Sequence, residues 1–312
     1  MLGCQNDRMT TRVHRASRAG VLGPVAVVVA VAGWSITNTL VKVSDLPALT
    51  FAFWRLWIGA VVLLAATVVA RRRLGWHIIR ASAPGGVLLG LEIALFFSAI
   101  KRTSIVDVTM IAALQPALVL LVAGRLFNER VTAREIWLTV LSVAGVAVVA
   151  IGSAGTPAWS LSGDLLAVGS LLAWTGYFLV SKHVRQEQEV NTLEFFTVVT
   201  VVAATVVTPI TLAARVQIAV GQPEQWFWLG LFVAGATTGH LLVAWAQPYV
   251  DISVSSQLML AQPVFSAVAA LIILDQPLTL LAVAGGALVL VSLSLILRDK
   301  RRWDAIEDAP PQ

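Results

Sequence analysis

Apolar residues fill most of this chain in runs of about 20, a length that matches the hydrocarbon thickness of a bilayer at the helical rise. Short clusters of Arg, Gly and Pro separate the runs. The pattern predicts an all-α integral membrane protein with ten transmembrane helices, near 22–42, 47–70, 84–100, 105–124, 133–152, 162–182, 192–213, 226–247, 252–274 and 278–297. The third run is short for a full crossing. Two of the runs share an awkward feature. "ALQPALVLLVAG" at 113–124 and "LAQPVFSAVAAL" at 260–271 each carry Gln-Pro in mid-helix, 147 residues apart (263 − 116). Proline removes a helix hydrogen bond and glutamine brings a polar amide, so each pair predicts a polar notch in its helix, with a carbonyl freed near Ile111-Ala112 and Gln257-Leu258. Such a notch is tolerated where it faces protein or a wet cavity, and less so against lipid. Simple helix packing is the plainer reading of either glutamine alone.

The Gln-Pro spacing belongs to an internal repeat. A shift of 147 lays "IVDVTMIAALQP" (105–116) on "ISVSSQLMLAQP" (252–263), and Phe127-Asn128-Glu129-Arg130-Val131-Thr132 on Leu274-Asp275-Gln276-Pro277-Leu278-Thr279. A shift of 140 lays "GWSITNTLVK" (33–42) on "AWTGYFLVSK" (173–182), pairing Trp34 with Trp174 and Lys42 with Lys182. Five helices per copy is an odd number, so the second copy enters the membrane from the opposite side. The copies are therefore two inverted five-helix repeats, the arrangement that places a ligand site at the midplane between halves.

Composition sharpens this. Of 312 residues, 58% are hydrophobic and 12% charged, against about 25% charged in a soluble domain. The pI near 10.0 does not point to nucleic acid, because the basic residues sit in short loops rather than on one face. With an inside N-terminus, the inside segments hold Arg8, Arg12, Arg15, Arg18, Arg71, Arg72, Arg73, Arg80, Arg125, Arg130, Arg134, Lys182, Arg185, Arg298, Lys300, Arg301 and Arg302. The outside segments hold only Lys42, Lys101, Arg102 and Arg215. That asymmetry supports ten helices with both termini cytoplasmic. The single Cys4 excludes an internal disulfide framework. The tail "RDKRRWDAIEDAPPQ" is charged and proline-ended, and is expected to be disordered with its basic part against anionic lipid.

"GWSITNTLVK", "FAFWRLWIGA" with Arg55, and "FFSAIKRTSIVDVTMIAALQPALVLLVAGRLFNERVTAREIWLTVLSVAGVAVVA" (96–150) resemble the EamA-domain members of the drug/metabolite transporter superfamily. The resemblance spans about 22–298. It implies a ten-helix transporter with a central cavity, moving small metabolites outward across the bacterial inner membrane. It divides the chain into a basic tail (1–21), a first repeat (22–152), an external linker (153–161), a second repeat (162–298) and a charged tail (299–312). The second copy departs from the first: Val199 stands where Arg55 would be matched, and Asp275-Gln276-Pro277 replaces Asn128-Glu129-Arg130. A two-fold symmetric substrate site is therefore not expected.

Ionisable groups at bilayer depth cost roughly 2.5–3.5 kcal/mol for Arg, Lys or Asp and so call for a reason. Arg55 and Glu92 lie at matched depth on adjacent antiparallel helices. Three readings follow: a permanent Arg55–Glu92 bridge, a Glu92 carboxylate that exchanges a proton during transport, or an Arg55 clamp for a substrate carboxylate. His240 falls beside Glu92 under the 147 shift, and serves either as a proton-coupling group or as a neutral ring bonded to a helix carbonyl. Trp34 and Asn38 share one helix face and Trp174 and Tyr177 another, forming aromatic walls suited to an amphipathic or cationic solute. With Gln115 and Gln262, these residues make up the candidate substrate site. Trp54, Trp57, Trp76, Trp226 and Trp228 read as interface anchors, and Asp107 and Glu194 as solvated acids near helix ends. No His, Cys or carboxylate spacing suggests a metal, and no cofactor is expected.

The function this supports is a transporter that exports amino acids or related small amphipathic compounds by alternating access, with proton coupling through Glu92 or His240 as an option. An uptake permease of the same fold is the nearest alternative. A membrane-embedded enzyme lacks any HExxH or GxSxG motif, and a scaffold gains nothing from a duplicated midplane notch. No G-x-x-x-x-G-K-[ST] motif provides for ATP drive by this chain. The expected partners are a small-molecule substrate and the lipid bilayer.

Overall fold

A computed structural model describes residues 22–37, 46–100, 102–103, 105–152, 160–186, 188, 190–275 and 278–307. Asn38, Lys42, the N-terminal tail and most of the 153–161 linker lie outside the described residues. The described chain is all helix: α1 (Leu22–Thr37), α2 (Ala48–Val69), α3 (Trp76–Ile100), α4 (Ile105–Ala112), α5 (Gln115–Leu126), α6 (Ala133–Gly152), α7 (Leu161–Gln186), α8 (Thr192–Ala213), α9 (Pro223–Ala246), α10 (Ile252–Leu258), α11 (Gln262–Leu274) and α12 (Leu280–Glu307). Nine spans among the described residues are long and apolar enough to cross a membrane, and α1 is a shorter apolar helix beside them.

Two expectations from sequence are corrected. The third span is not short: α3 starts at Trp76 and carries His77 and Arg80 in its first turns, with Pro84 inside the helix. The apolar run undercounts it because a long Arg side chain can reach the interface from within a helix. The charged C-terminal segment also does not leave the helix near 297. α12 continues to Glu307, and Asp299 and Lys300 hold it to the rest of the protein through ion pairs with Arg134 and Asp251.

Both Gln-Pro pairs break their spans as the missing proline N–H requires. The fourth span stops at Ala112 and restarts at Gln115, with Pro116 in the first turn of α5. The ninth passes through a short 3-10 turn, Met259–Ala261, before α11 begins at Gln262-Pro263. Proline fits a helix start, where its missing donor would have had no intrahelical acceptor.

The repeat recurs in backbone details. Asn128 and Asp275, 147 apart (275 − 128), both adopt left-handed conformations with φ of 54° and 51° where α5 and α11 end. Asn and Asp tolerate that region better than other side chains. Thr132 and Thr279, again 147 apart (279 − 132), cap the following helices alike, each hydroxyl accepting from a backbone N–H three residues on at 3.1 Å. Arg71 and Arg215 form a second left-handed pair, at the ends of α2 and α8.

Helix packing repeats in the same way. α3 packs on α7 and α8, and its second-copy equivalent α9 packs on α2 and, through Gly235 against Thr37, on α1. α6 packs on α12 and α2 on α8, each pairing an element with its own counterpart, while α5 packs on α10, the counterpart of α4. The α6–α12 crossing is close: a Cβ on Gly285 would lie 2.7 Å from the Gly145 carbonyl oxygen and 2.7 Å from the Val149 nitrogen. Small residues allow such approach where lipid supplies no hydrophobic drive between helices.

Candidate functional site

The site grows from four helices meeting around one histidine. His240 lies one turn after Ala236 on α9, and its Nδ1 donates to the Ala236 carbonyl at 2.9 Å. The same carbonyl accepts from Trp34 Nε1 at 3.3 Å, which ties α1 to α9. Gly239 is required here, since a Cβ at that position would run into the Trp34 indole. Around the imidazole stand Trp34 (centroids 4.6 Å apart), Phe196 (5.8 Å, stacked), Trp174 (6.0 Å) and Tyr177 (6.4 Å). Trp34 also meets Trp174 edge-on at 6.0 Å. The two walls expected from sequence thus enclose a single ring.

Arg55 enters from α2. Its Nη2 lies 3.2 Å from both ring nitrogens of His240, and its guanidinium lies 6.0 Å from the Phe232 ring. With Nδ1 donating to Ala236, the free lone pair is on Nε2, and Arg55 donates there. Arg55 and His240 are both buried. The direct Arg55–Glu92 bridge is not formed, because equal depth on two helices does not fix the direction in which the side chains point. Glu92, half-buried on α3, stands beside Ser170 of α7, whose hydroxyl donates to the Glu92 backbone oxygen at 3.4 Å. Among the described residues no carboxylate contacts this guanidinium.

Two of the candidate residues carry buried polar groups without hydrogen-bond partners among the described residues. The Tyr177 hydroxyl is fully buried beside Trp174, and both amide atoms of the buried Gln115 side chain are unmatched. Gln262 is half-buried, and its backbone oxygen accepts from Ser35, next to Trp34, at 3.1 Å. Neither glutamine touches the aromatic cluster in the described contacts. Asn38 lies outside the described residues. Trp34, Arg55, Trp174, Tyr177 and His240 are brought together, with Glu92 close by.

Sequence reasoning missed Phe196, an apolar residue whose position over His240 left no signal. It also read Lys182 and Arg185 as loop charges, whereas both are buried at the arginine-rich end of α7. Lys182 donates to the carbonyls of Gln247 (2.8 Å) and Val250 (2.6 Å), and Arg185 to those of Ala244 (2.9 Å) and Val190. Two cations thereby satisfy carbonyls left over at the C-terminal end of α9. Glu194 is not a freely solvated acid: it is mostly covered and pairs with Arg72 at 3.9 Å. A cavity of about 650 Å³ opens at this end between Arg72, His77, Arg185, Asn191, Glu194 and Tyr249.

A second polar network lies at the same end, between α5, α6, α10 and α12. Glu129 accepts from the backbone N–H of Ile252 (2.5 Å) and Ser253 (3.1 Å) and from the Ser253 hydroxyl (2.8 Å). Gln257 Nε2 donates to Glu135 (3.2 Å) and Thr139 (3.0 Å). Lys300 donates to Asp251 (3.0 Å) and to the Arg130 carbonyl (3.1 Å), and lies 3.7 Å from Glu135. Burial and the neighbouring Asp251 charge push the Glu129 carboxyl above its ordinary range, against the hydrogen bonds it accepts.

Two copies of a five-helix unit, each with a broken helix, packed about a buried charged and aromatic cluster, define a membrane transporter of the repeat-built type. The model of the EamA-like transporter family matches residues 21–151 and 161–298, and the chain belongs to that family. A search of curated proteins returns no match. Among solved structures, one titled only as the crystal structure of a protein is similar in fold, with a TM-score of 0.70 and 19% identity over 91% of this chain and 99% of that one.

Proposed function

We propose that this transporter exports small amphipathic metabolites of amino-acid type from the cytoplasm of a bacterium across its inner membrane, by alternating access around Arg55 and His240. The arginine-rich end is then cytoplasmic, with both termini on that side, in keeping with the positive-inside rule. The observation that carries the reading is the state of Arg55. A guanidinium offers five N–H donors, and this one, at membrane depth, has a single side-chain acceptor, His240, among the described residues. A substrate carboxylate supplies the missing anion and accepts from the remaining donors in a bidentate pair. Trp34, Trp174, Tyr177 and Phe196 then hold the apolar part of the solute, and the unmatched Tyr177 hydroxyl gives it a further polar contact. The cavity of about 650 Å³ at the arginine-rich end then lies on the cytoplasmic side. Glu92 and His240 are the groups of the site able to exchange a proton, and both act on Arg55.

Proteoliposomes loaded with a mixture of radiolabelled amino acids test this. Efflux by the native protein that is lost in Arg55→Ala supports the reading. Efflux at the native rate in that variant removes the clamp. Unchanged pH-driven efflux in both Glu92→Gln and His240→Asn removes proton coupling through those residues.

A further inference from the structure

We propose that the network at the arginine-rich end is a latch joining the two copies, which must open whenever the protein opens on that side. Its geometry carries the idea. Glu129 and Glu135 belong to the first copy, while Ser253, Gln257, Asp251 and Lys300 belong to the second. Every bond named between these two groups crosses the boundary between copies. Three of its acceptors, Glu129, Glu135 and Asp251, are carboxylates, and Lys300 closes the arrangement by reaching both Asp251 and the first copy's Arg130 carbonyl.

The opposite end lacks the matching carboxylate in its sequence. The 147 shift sets Gln276-Pro277 where Glu129-Arg130 stand, so the second copy lacks the carboxylate that holds α10. The latch is therefore one-sided. It weights the two access states unequally, favouring closure at the arginine-rich end in the absence of solute. The inference rests on the alternating-access reading given above.

The test uses the full-length protein with Cys4→Ser and a single Ser255→Cys in α10, a buried position whose hydroxyl has no partner among the described residues. Inside-out vesicles are treated with a membrane-impermeant maleimide. Lys300→Met and Glu129→Ala are each expected to raise labelling about tenfold, as a weakened state preference of that factor requires. Combining Asp251→Lys with Lys300→Asp is expected to return labelling to the native rate. A parallel Ala99→Cys protein, buried at the opposite end, is expected to label no faster in right-side-out vesicles. Unchanged labelling at Ser255→Cys overturns the latch. An equal rise at Ala99→Cys also overturns it, because it signals general loosening. If Glu129→Ala does not assemble, Lys300→Met and the charge exchange decide. Labelling needs no solute, so a protein with latch-dependent labelling and no amino-acid flux faults the substrate reading alone.

Discussion

Arg55 Nη2 stands 3.2 Å from both ring nitrogens of His240, and the two residues belong to opposite copies of the repeat, 185 positions apart. A cation and its acceptor are thus held at membrane depth by the two different repeats. In Arg55→Ala the account predicts efflux reduced by at least about a hundredfold, and in Arg55→Lys a loss nearly as large, because an ammonium cannot form the planar two-point contact with a carboxylate. Initial-rate flux in proteoliposomes measures both, with size-exclusion profiles to show that the variants assemble.

The α6–α12 crossing predicts a stability effect away from the site. Gly285→Val places a branched side chain against the Gly145 carbonyl and the Val149 backbone and should cost about 1–3 kcal/mol, the usual range for overpacking. Gly221→Ala, with open space around it, should leave the melting temperature unchanged. Thermal unfolding in detergent compares the two.

Lys182 is nearly covered and donates to two carbonyls at the end of α9. Lys182→Met keeps the length of the side chain and removes the donor. The two acceptors left without it predict a loss of about 2–6 kcal/mol, at roughly 1–3 for each buried group that goes unsatisfied. A melting temperature equal to that of the native protein would contradict the role assigned to this residue.

Much of this was legible in the chain, and what was not has a physical reason. The 147-residue shift was readable because Gln-Pro is a costly choice in a membrane helix, and a costly choice made twice stands out. The paired left-handed residues Asn128 and Asp275, and the paired caps Thr132 and Thr279, fall on that same shift. Arg55 and His240 were each marked by charge or polarity in an apolar run. Their contact was not readable, since depth along a helix leaves the facing direction free, and depth alone favoured Glu92 as the partner of Arg55. Lys182, Arg185 and Lys300 were read as solvated loop charges because they stand at the ends of apolar runs. In the fold those ends are covered by neighbouring helices. Phe196 gave no signal, since nothing in an apolar stretch distinguishes a ring over a histidine from one facing lipid.

Glu129 predicts a pH dependence of defined sign. Asp251 and Lys300 are the charged groups facing it across the latch, and Glu135 of its own copy stands beside Lys300. Its carboxyl is pushed above the ordinary glutamate range in the folded, latched state, so that state binds the proton more tightly than a state in which Glu129 is hydrated. Its contribution to stability is therefore largest with the proton bound, and is lost as pH rises from the ordinary glutamate range through the raised value. Glu129→Gln keeps a neutral acceptor and should flatten that slope. Melting temperatures recorded across this window for both proteins provide the comparison, and parallel curves would contradict the assignment.

The most direct test of the account asks whether the aromatic cluster is reached from both sides of the membrane. In a Cys4→Ser background, Tyr177→Cys is treated with a membrane-impermeant thiol reagent in inside-out and in right-side-out vesicles. The account predicts labelling from each side, slowed in both cases by an added amino-acid mixture. A thiol at this position that reacts from neither side would mean that Arg55, His240 and the rings around them form a permanently closed core, and the account would be wrong.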